Sequence, residues 1–370
     1  MERPLPAVSS RPPLPEDPLP EPRPDVPTVG VVVPVHAGER WLAEALASVR
    51  AQSWERWVCV VVDDASPDRS AAVAEEVAAS DARVTVLRLP RRGGVSAARN
   101  AGLGRLPVAV THVALLDGDD VWEPHALATL LRAATARPGL VGASASAELC
   151  DEAGAPLLPG THRERLRQRP TVRHGRLAVL PPTADTDATS LAVAGRIWPP
   201  AVALLRRDVV DRVGGFAEDL VLSEDWHFFV RAARQGPLAF VDVVVARYRR
   251  HPGSATAAAH HDVVHHNDVV RRRLYDEAGS AAERRVAVAA WRAVQGAALA
   301  RSVRLLLDEV RARRWPAARW QARPVRELSR TLLRRSPPVP DRARAHLRTA
   351  MVEVVQPAAL AHRRRARTSS

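Results

Sequence analysis

Three carboxylates, Asp117, Asp119 and Asp120, fall within four positions directly after the apolar run VALL. Like charges this close repel one another and resist burial, so they persist only where solvent, a cation or a hydrogen-bonding partner compensates them. Asp63 and Asp64 close a second apolar run, WVCVVV, and Glu224 and Asp225 lie in a third stretch, SEDWHFF. A carboxylate so placed can accept a ring N–H, or take the proton from a hydroxyl that has to become a nucleophile. Each position also has a plainer explanation. Asp and Ser close turns through their own backbones, acids at a helix start complement its dipole, and Asp120 beside Trp122 suits the cap of a following helix. Only the joint arrangement separates chemistry from folding.

The elements around these residues supply that arrangement. TVGVVVPV from Thr28 is a short β-branched run of the kind buried in a parallel sheet. ERWLAEALASVRAQ follows with Trp41, Leu42, Ala45, Leu46 and Val49 at helical spacing. Trp57 to Val62 is a second buried strand, Ser70 to Ser80 a second helix, RVTVLRLP a third strand, GVSAARNAGLGRL a helix and VALLDGDD a fourth strand. This alternation predicts a doubly wound, mostly parallel sheet with helices on both faces. Ligands of such sheets bind beyond the carboxyl ends of the strands. Those ends carry Pro34, Val35 and His36, then Asp63 and Asp64, then the Asp117 cluster, so the three polar groups should meet along one edge.

Further on, residues 136–200 show only short apolar pieces among Pro, Gly, Thr and Arg, which predicts loops with two strands. AVALLRRDVVDRVGGF is a strand and a short helix stopped by Gly214 and Gly215, SEDWHFFVRAARQG a helix, and LAFVDVVVARYRRH a strand pair or one long strand. After Thr256 the pattern is mainly helical to about residue 335, broken at Pro316 and Pro324.

Composition narrows the partners. All 54 basic residues are arginine, and the net charge is +13. Residues 301–370 hold 18 arginines against 5 acidic residues, so they carry the whole excess and the body of the chain is neutral. Two cysteines, Cys59 and Cys150, cannot build a disulfide framework and read as small buried thiols, which fits a reducing cytoplasm. The proline-dense segment 1–27 reads as a disordered leader without a signal-peptide core.

Six motifs in order resemble the family 2 glycosyltransferases with a GT-A fold: VVVPVHAGERWLAEALASVRAQSW, VVVDDASPDRS, RRGGVSAARNAGL, LLDGDDVWEP, GGFAEDLVLSEDWHFFVR and YRRHPGSAT. The resemblance covers about residues 28–256. It implies an inverting transfer of a sugar from a nucleotide-diphosphate sugar to the hydroxyl of a glycan, a lipid-linked or another acceptor. By the same analogy Asp64, with Pro34, Val35 and His36, contacts the base or ribose. Asp117 contacts ribose or metal-bound water, Asp119 ligates Mg2+ or Mn2+, and His251 adds a metal or phosphate contact. Arg99 either adds charge near the pyrophosphate or anchors the Asp cluster, and Asp225 is the general base.

Two positions depart from the family pattern: Ala37 and Arg92 stand where asparagines are usual. The Gln-x-x-Arg-Trp signature of processive members is missing too, which favours single addition. Expected domains are the leader 1–27, a catalytic domain 28–260 with a nucleotide-binding half 28–135 and an acceptor-binding half 136–260, a helical extension 261–340, and a basic tail 341–370. The arginine-rich C-terminal region suits a helical pair packed through Leu305, Leu306, Val310, Leu328 and Leu332. Alternatively, Trp315 and Trp320 among arginines suit a peripheral contact with the inner face of the cell membrane. Nucleic acid is not expected, because no recognition motif accompanies the charge. His260, His261, His265 and His266 form i,i+4 pairs, but without companion cysteines a metal site there is not expected. Two other functions stay open: a catalytically silent nucleotide-sugar or glycan-binding module, and a sugar-nucleotidyltransferase, although PVHAGER lacks the Gly-rich loop the latter needs.

Overall fold

The computed structural model describes residues 26–174, 176–254 and 263–313, with isolated positions at 315, 322 and 325. The first half alternates as expected: β1 (Val29–Val35), α1 (Leu42–Arg50), β2 (Trp57–Asp63), α2 (Ser70–Ser80), β3 (Val84–Arg88), α3 (Val95–Arg105) and β4 (His112–Leu115). Every residue of β1 and β2 is buried. Strands covered on both faces have no solvent side, hence their continuous apolar runs. They lie in the order β3-β2-β1-β4, all parallel. The helix α3, which carries Arg99, presses directly on this sheet, since a Cβ on Gly102 would stand 2.4 Å from Val32 Cγ1. Only glycine permits that approach.

The second half is mixed. It contains β5 (Val121–Trp122), α4 (Ala126–Ala134), β6 (Gly142–Cys150), β7 (Pro156–Leu157), α5 (Thr161–Arg167), β8 (Pro170–Arg173), β9 (Arg176–Val179), α6 (Ala188–Val193), a 3-10 turn (Pro200–Val202), β10 (Ala203–Arg206), α7 (Arg207–Val213), α8 (Glu224–Ala233) and β11 (Leu238–Arg249). The sheet continues β4-β10-β6-β11-β5, with β10 antiparallel to both its neighbours and β11 parallel to β6. The parallel sheet expected from the first half therefore becomes mixed. The chain reaches β10 from the carboxyl edge, where β6 ends, so no crossover is needed.

Residues 136–200 hold more order than their sequence suggests: one nine-residue strand, a small hairpin and two helices of six and seven residues. Helices this short do not display a hydrophobic period. LAFVDVVVARYR is one strand of twelve residues with register shifts.

Two helices follow, α9 (Val263–Asp276) and α10 (Ala281–Arg311). α10 is capped by Ser280, whose side chain accepts from the Glu283 N–H, and it packs on α6. Trp315 is exposed. The tail 341–370, most of the leader 1–27, Pro316, Trp320, Pro324, Leu328, Leu332, His260 and His261 lie outside the described residues. Among the described residues no helix is long and apolar enough to cross a membrane. Cys59 and Cys150 are both free and buried.

Candidate active site

The carboxyl ends of β1, β2 and β4 do meet along one edge. At the first, Asp64 N–H donates to Val35 O (2.9 Å) and His36 Nδ1 lies 2.8 Å from Asp64 O. Pro34 O accepts from Gly118 N–H, tying β1 to the turn that bears the aspartates. The two acids after β2 divide their work. Asp63 closes the turn by accepting from Ser66 N–H, whereas Asp64 reaches across to accept from Gly93 N–H (2.6 Å) and Gly94 N–H (2.8 Å). Gly94 has a φ of 86° and precedes the first turn of α3. Asp64 thus fixes the glycine loop against the sheet edge through two backbone amides.

Behind the Asp117 cluster, Arg99 is buried and holds two elements together. Its Nη2 donates to Asp117 Oδ1 and its Nη1 to Glu224 Oε1, each at 2.7 Å. Burial opposes the charge, but Asp117, Glu224 and Asp225 outweigh it and keep the guanidinium firmly protonated. This is the geometry of the anchoring role. The neighbouring Asn100 grips the backbone of Phe216 from both sides, donating to its O and accepting from its N–H. Consequently α3 carries the start of α8 to the aspartates.

Asp225, half-buried in the first turn of α8, is pushed up to about 7 by burial and then by Glu224, with Arg99 opposing. A carboxylate in that range exchanges protons near neutrality.

On the other side of the cluster, His251 Nε2 lies 2.9 Å from Asp119 Oδ2, and its ring packs on Trp41 with centroids 4.0 Å apart. Asp120 does not cap a helix, contrary to its plainer sequence explanation. It is wholly buried, accepts from Arg249 N–H at 3.0 Å and leaves Oδ2 without a partner. Burial, then Asp119 and Asp117, raise it well above the usual carboxylate range.

Arg249 and Glu224 were not distinguished as site residues by the sequence. Arg249 is buried, and its guanidinium donates to Asp119 O, Asp151 O, Glu152 O and Glu44 Oε2. In a chain whose only basic residue is arginine, no single arginine stands out. Glu224 had one available signal, its place beside Asp225 in a helix start otherwise apolar on one face.

Among the described residues no three His, Cys, Asp or Glu side chains form a complete metal cage. A divalent ion held for phosphate chemistry does not need one, since it keeps positions open for phosphate oxygens. The crowding of Asp117, Asp119 and Asp120, with the unpartnered buried Oδ2 of Asp120, is what a cation would relieve. The residues therefore fit such an ion.

Residues 30–177 match the family model described as glycosyl transferase family 2. Over this segment the chain is similar to glycosyl transferase family 2. The family match spans Pro34, Val35, His36, Asp64, Arg99, Asp117 and Asp119, whereas Asp225 and His251 lie beyond it. The uncharacterized glycosyltransferase EpsJ of Bacillus subtilis is 27% identical over 234 residues, 62% of this chain and 63% of EpsJ. The succinoglycan biosynthesis protein ExoW of Rhizobium meliloti is 44% identical over 102 residues, 26% of this chain and 31% of ExoW. The chain thus spans less than two thirds of the length of these curated relatives.

Among solved structures, the mannosyltransferase PcManGT of Pyrobaculum calidifontis, in complex with GDP-Man and Mn2+, aligns with a TM-score of 0.55 at 19% identity, over 86% of this chain and 91% of its own. S. aureus TarS 1–349 in complex with UDP-GlcNAc aligns with 0.51 at 16% identity, over 81% and 92%. The chain shares their GT-A fold.

Proposed function

We propose that this chain is a glycosyltransferase that moves a sugar from a nucleotide-diphosphate sugar to an acceptor hydroxyl with inversion. One observation carries the mechanism: Arg99 bonds Asp117 and Glu224 at once, so Asp225 is held beside the aspartate cluster rather than elsewhere on α8. The complexes of two fold neighbours with GDP-Man and UDP-GlcNAc support a nucleotide-sugar donor. In this reading residues 28–135 bind the nucleotide, 136–260 the acceptor, and 261–340 extend the fold.

The donor's base and ribose rest at the edge formed by Pro34, Val35, His36 and Asp64, with Asp117 near the ribose. Asp119 and His251 would hold Mg2+ or Mn2+, which when bound stabilises the negative charge of the diphosphate. The acceptor oxygen attacks the anomeric carbon as Asp225 takes its proton. The bond from that carbon to the diphosphate oxygen breaks, and the nucleoside diphosphate leaves with the electron pair. A single displacement of this kind inverts the anomeric centre.

A panel of UDP-, GDP- and dTDP-sugars, titrated calorimetrically with Mn2+ or Mg2+ and then with chelator, should give binding of one donor that the chelator weakens. With that donor, Asp225→Asn should lower transfer by about a thousandfold, within the range typical of a lost general base, and leave donor affinity unchanged. Normal turnover by Asp225→Asn would refute the assignment of the base.

A further inference from the structure

Among the described residues, three arginines near the carboxyl edge of the second half-sheet have no counter-ion. On α5, Arg163 and Arg167 both pair with Asp242, while Arg165 between them pairs with nothing among the described residues. Arg196, after α6, is half-buried with Nε unpartnered, and Arg250 makes only a side-chain contact over the Tyr248 ring, 5.7 Å from its centroid. The three converge on one residue. His162 is 1% exposed, lies 3.1 Å from Trp198 O through Nε2 and leaves Nδ1 without a partner. Burial first, then the charges of Arg165, Arg250 and Arg196, push it down to about 4 against the opposing Trp198 carbonyl. Arg196 is itself lowered by burial and then by Arg165.

Half-buried guanidinium groups whose charges act on the same buried residue are unfavourable unless an anion offsets them. Their place in the fold says which anion. Arg250 stands between Arg249, bonded to Asp119 O, and His251, bonded to the Asp119 carboxylate. Arg196 follows Gly195, where a Cβ would meet the Trp226 ring at 2.8 Å, and Trp226 adjoins Asp225. Arg250 is thus one residue along the chain from the groups that hold Asp119, Arg196 adjoins a glycine packed on Trp226, and all three cations lie within the half assigned to the acceptor. The half-exposed Trp198 ring stands among them, edge-on to His162 (5.0 Å) and Tyr248 (4.9 Å).

We infer that Arg165, Arg196 and Arg250 bind an oxyanion of the acceptor, a phosphate or a carboxylate, while the Trp198 ring packs against one of its sugars. This rests on the transfer reading above. Guanidinium groups suit either oxyanion, because their planar donors match both.

The test uses the full chain with its nucleotide sugar established, and three oligosaccharides of equal length as probes: one with a phosphodiester, one with a uronate, one neutral. Calorimetry in the presence of the nucleoside diphosphate should show one acidic probe binding at least about tenfold tighter than the neutral one, with the advantage shrinking as salt rises. Which acidic probe wins identifies the oxyanion. Arg165→Gln, Arg196→Gln and Arg250→Gln should each weaken it by about tenfold, the corresponding lysine variants by less, with nucleotide-sugar affinity unchanged in all. Nucleotide-sugar binding without any preference for an acidic probe, or glutamine variants that bind it as the parent does, would overturn this inference alone. A parent protein that binds no nucleotide sugar would refute the transfer reading, and the acceptor assignment with it.

Discussion

The two sides of the cleft handle charge in opposite ways. Around the proposed donor site, the protein pairs most of its charges internally: Asp64 with two glycine amides, Asp117 and Glu224 with Arg99, Asp119 with His251. In the proposed acceptor half, Arg165, Arg196 and Arg250 are left without an ion-pair partner among the described residues. Paired groups keep their geometry with or without ligand, which suits a donor site that must orient a diphosphate. Unpaired cations hold free energy in reserve for whatever enters, which suits selection of an acceptor.

The difference can be broken first at Arg99. Arg99→Met would leave Asp117 and Glu224 facing each other without their cation, and should cost about 3–5 kcal/mol of stability, the usual penalty for breaking a buried pair. Denaturant unfolding measures it directly, and a loss below about 1 kcal/mol would show that the bridge is not what holds α8 in place.

A second, intermediate effect is that of pH. Asp225 is pushed up to about 7, so transfer should rise with pH through that value as the base loses its proton, with the rise missing in Asp225→Asn. The stability contribution has the opposite sign. Between the ordinary carboxylate range and about 7 the folded chain holds a proton the unfolded chain has released, so this group lowers stability as pH rises through that window. A transfer profile flat from pH 5.5 to pH 8.5 would mean that Asp225 is not the base.

The smallest expected effect sharpens the comparison from the other side. Arg165→Gln, Arg196→Gln and Arg250→Gln remove charges that bond to nothing in the described fold, so each should change stability by no more than about 0.5 kcal/mol. A loss as large as that of Arg99→Met would place these arginines among the structural pairs and erase the contrast.

The sequence by itself determined the first half of the sheet. Buried parallel strands show as unbroken apolar runs, and α1 shows its helical period, so β1 to β4 and the polar groups at their ends were legible. Family motifs then named Asp64, Asp117, Asp119, Asp225 and His251 as candidates. Tertiary structure decided how those residues are held. That Asp64 reaches Gly93 and Gly94, that Asp120 meets Arg249 N–H rather than a helix end, and that Arg99 joins Asp117 to Glu224 depend on contacts between residues 18 to 129 positions apart. Local propensity carries no trace of such contacts. Residues 136–200 were hidden because α5 and α6, of seven and six residues, are too short to display a period. β10, for its part, owes its direction to where the chain arrives rather than to its own four residues. The unpaired arginines were hidden most completely, because in a chain that uses arginine for every cation only the folded arrangement tells a paired one from a free one.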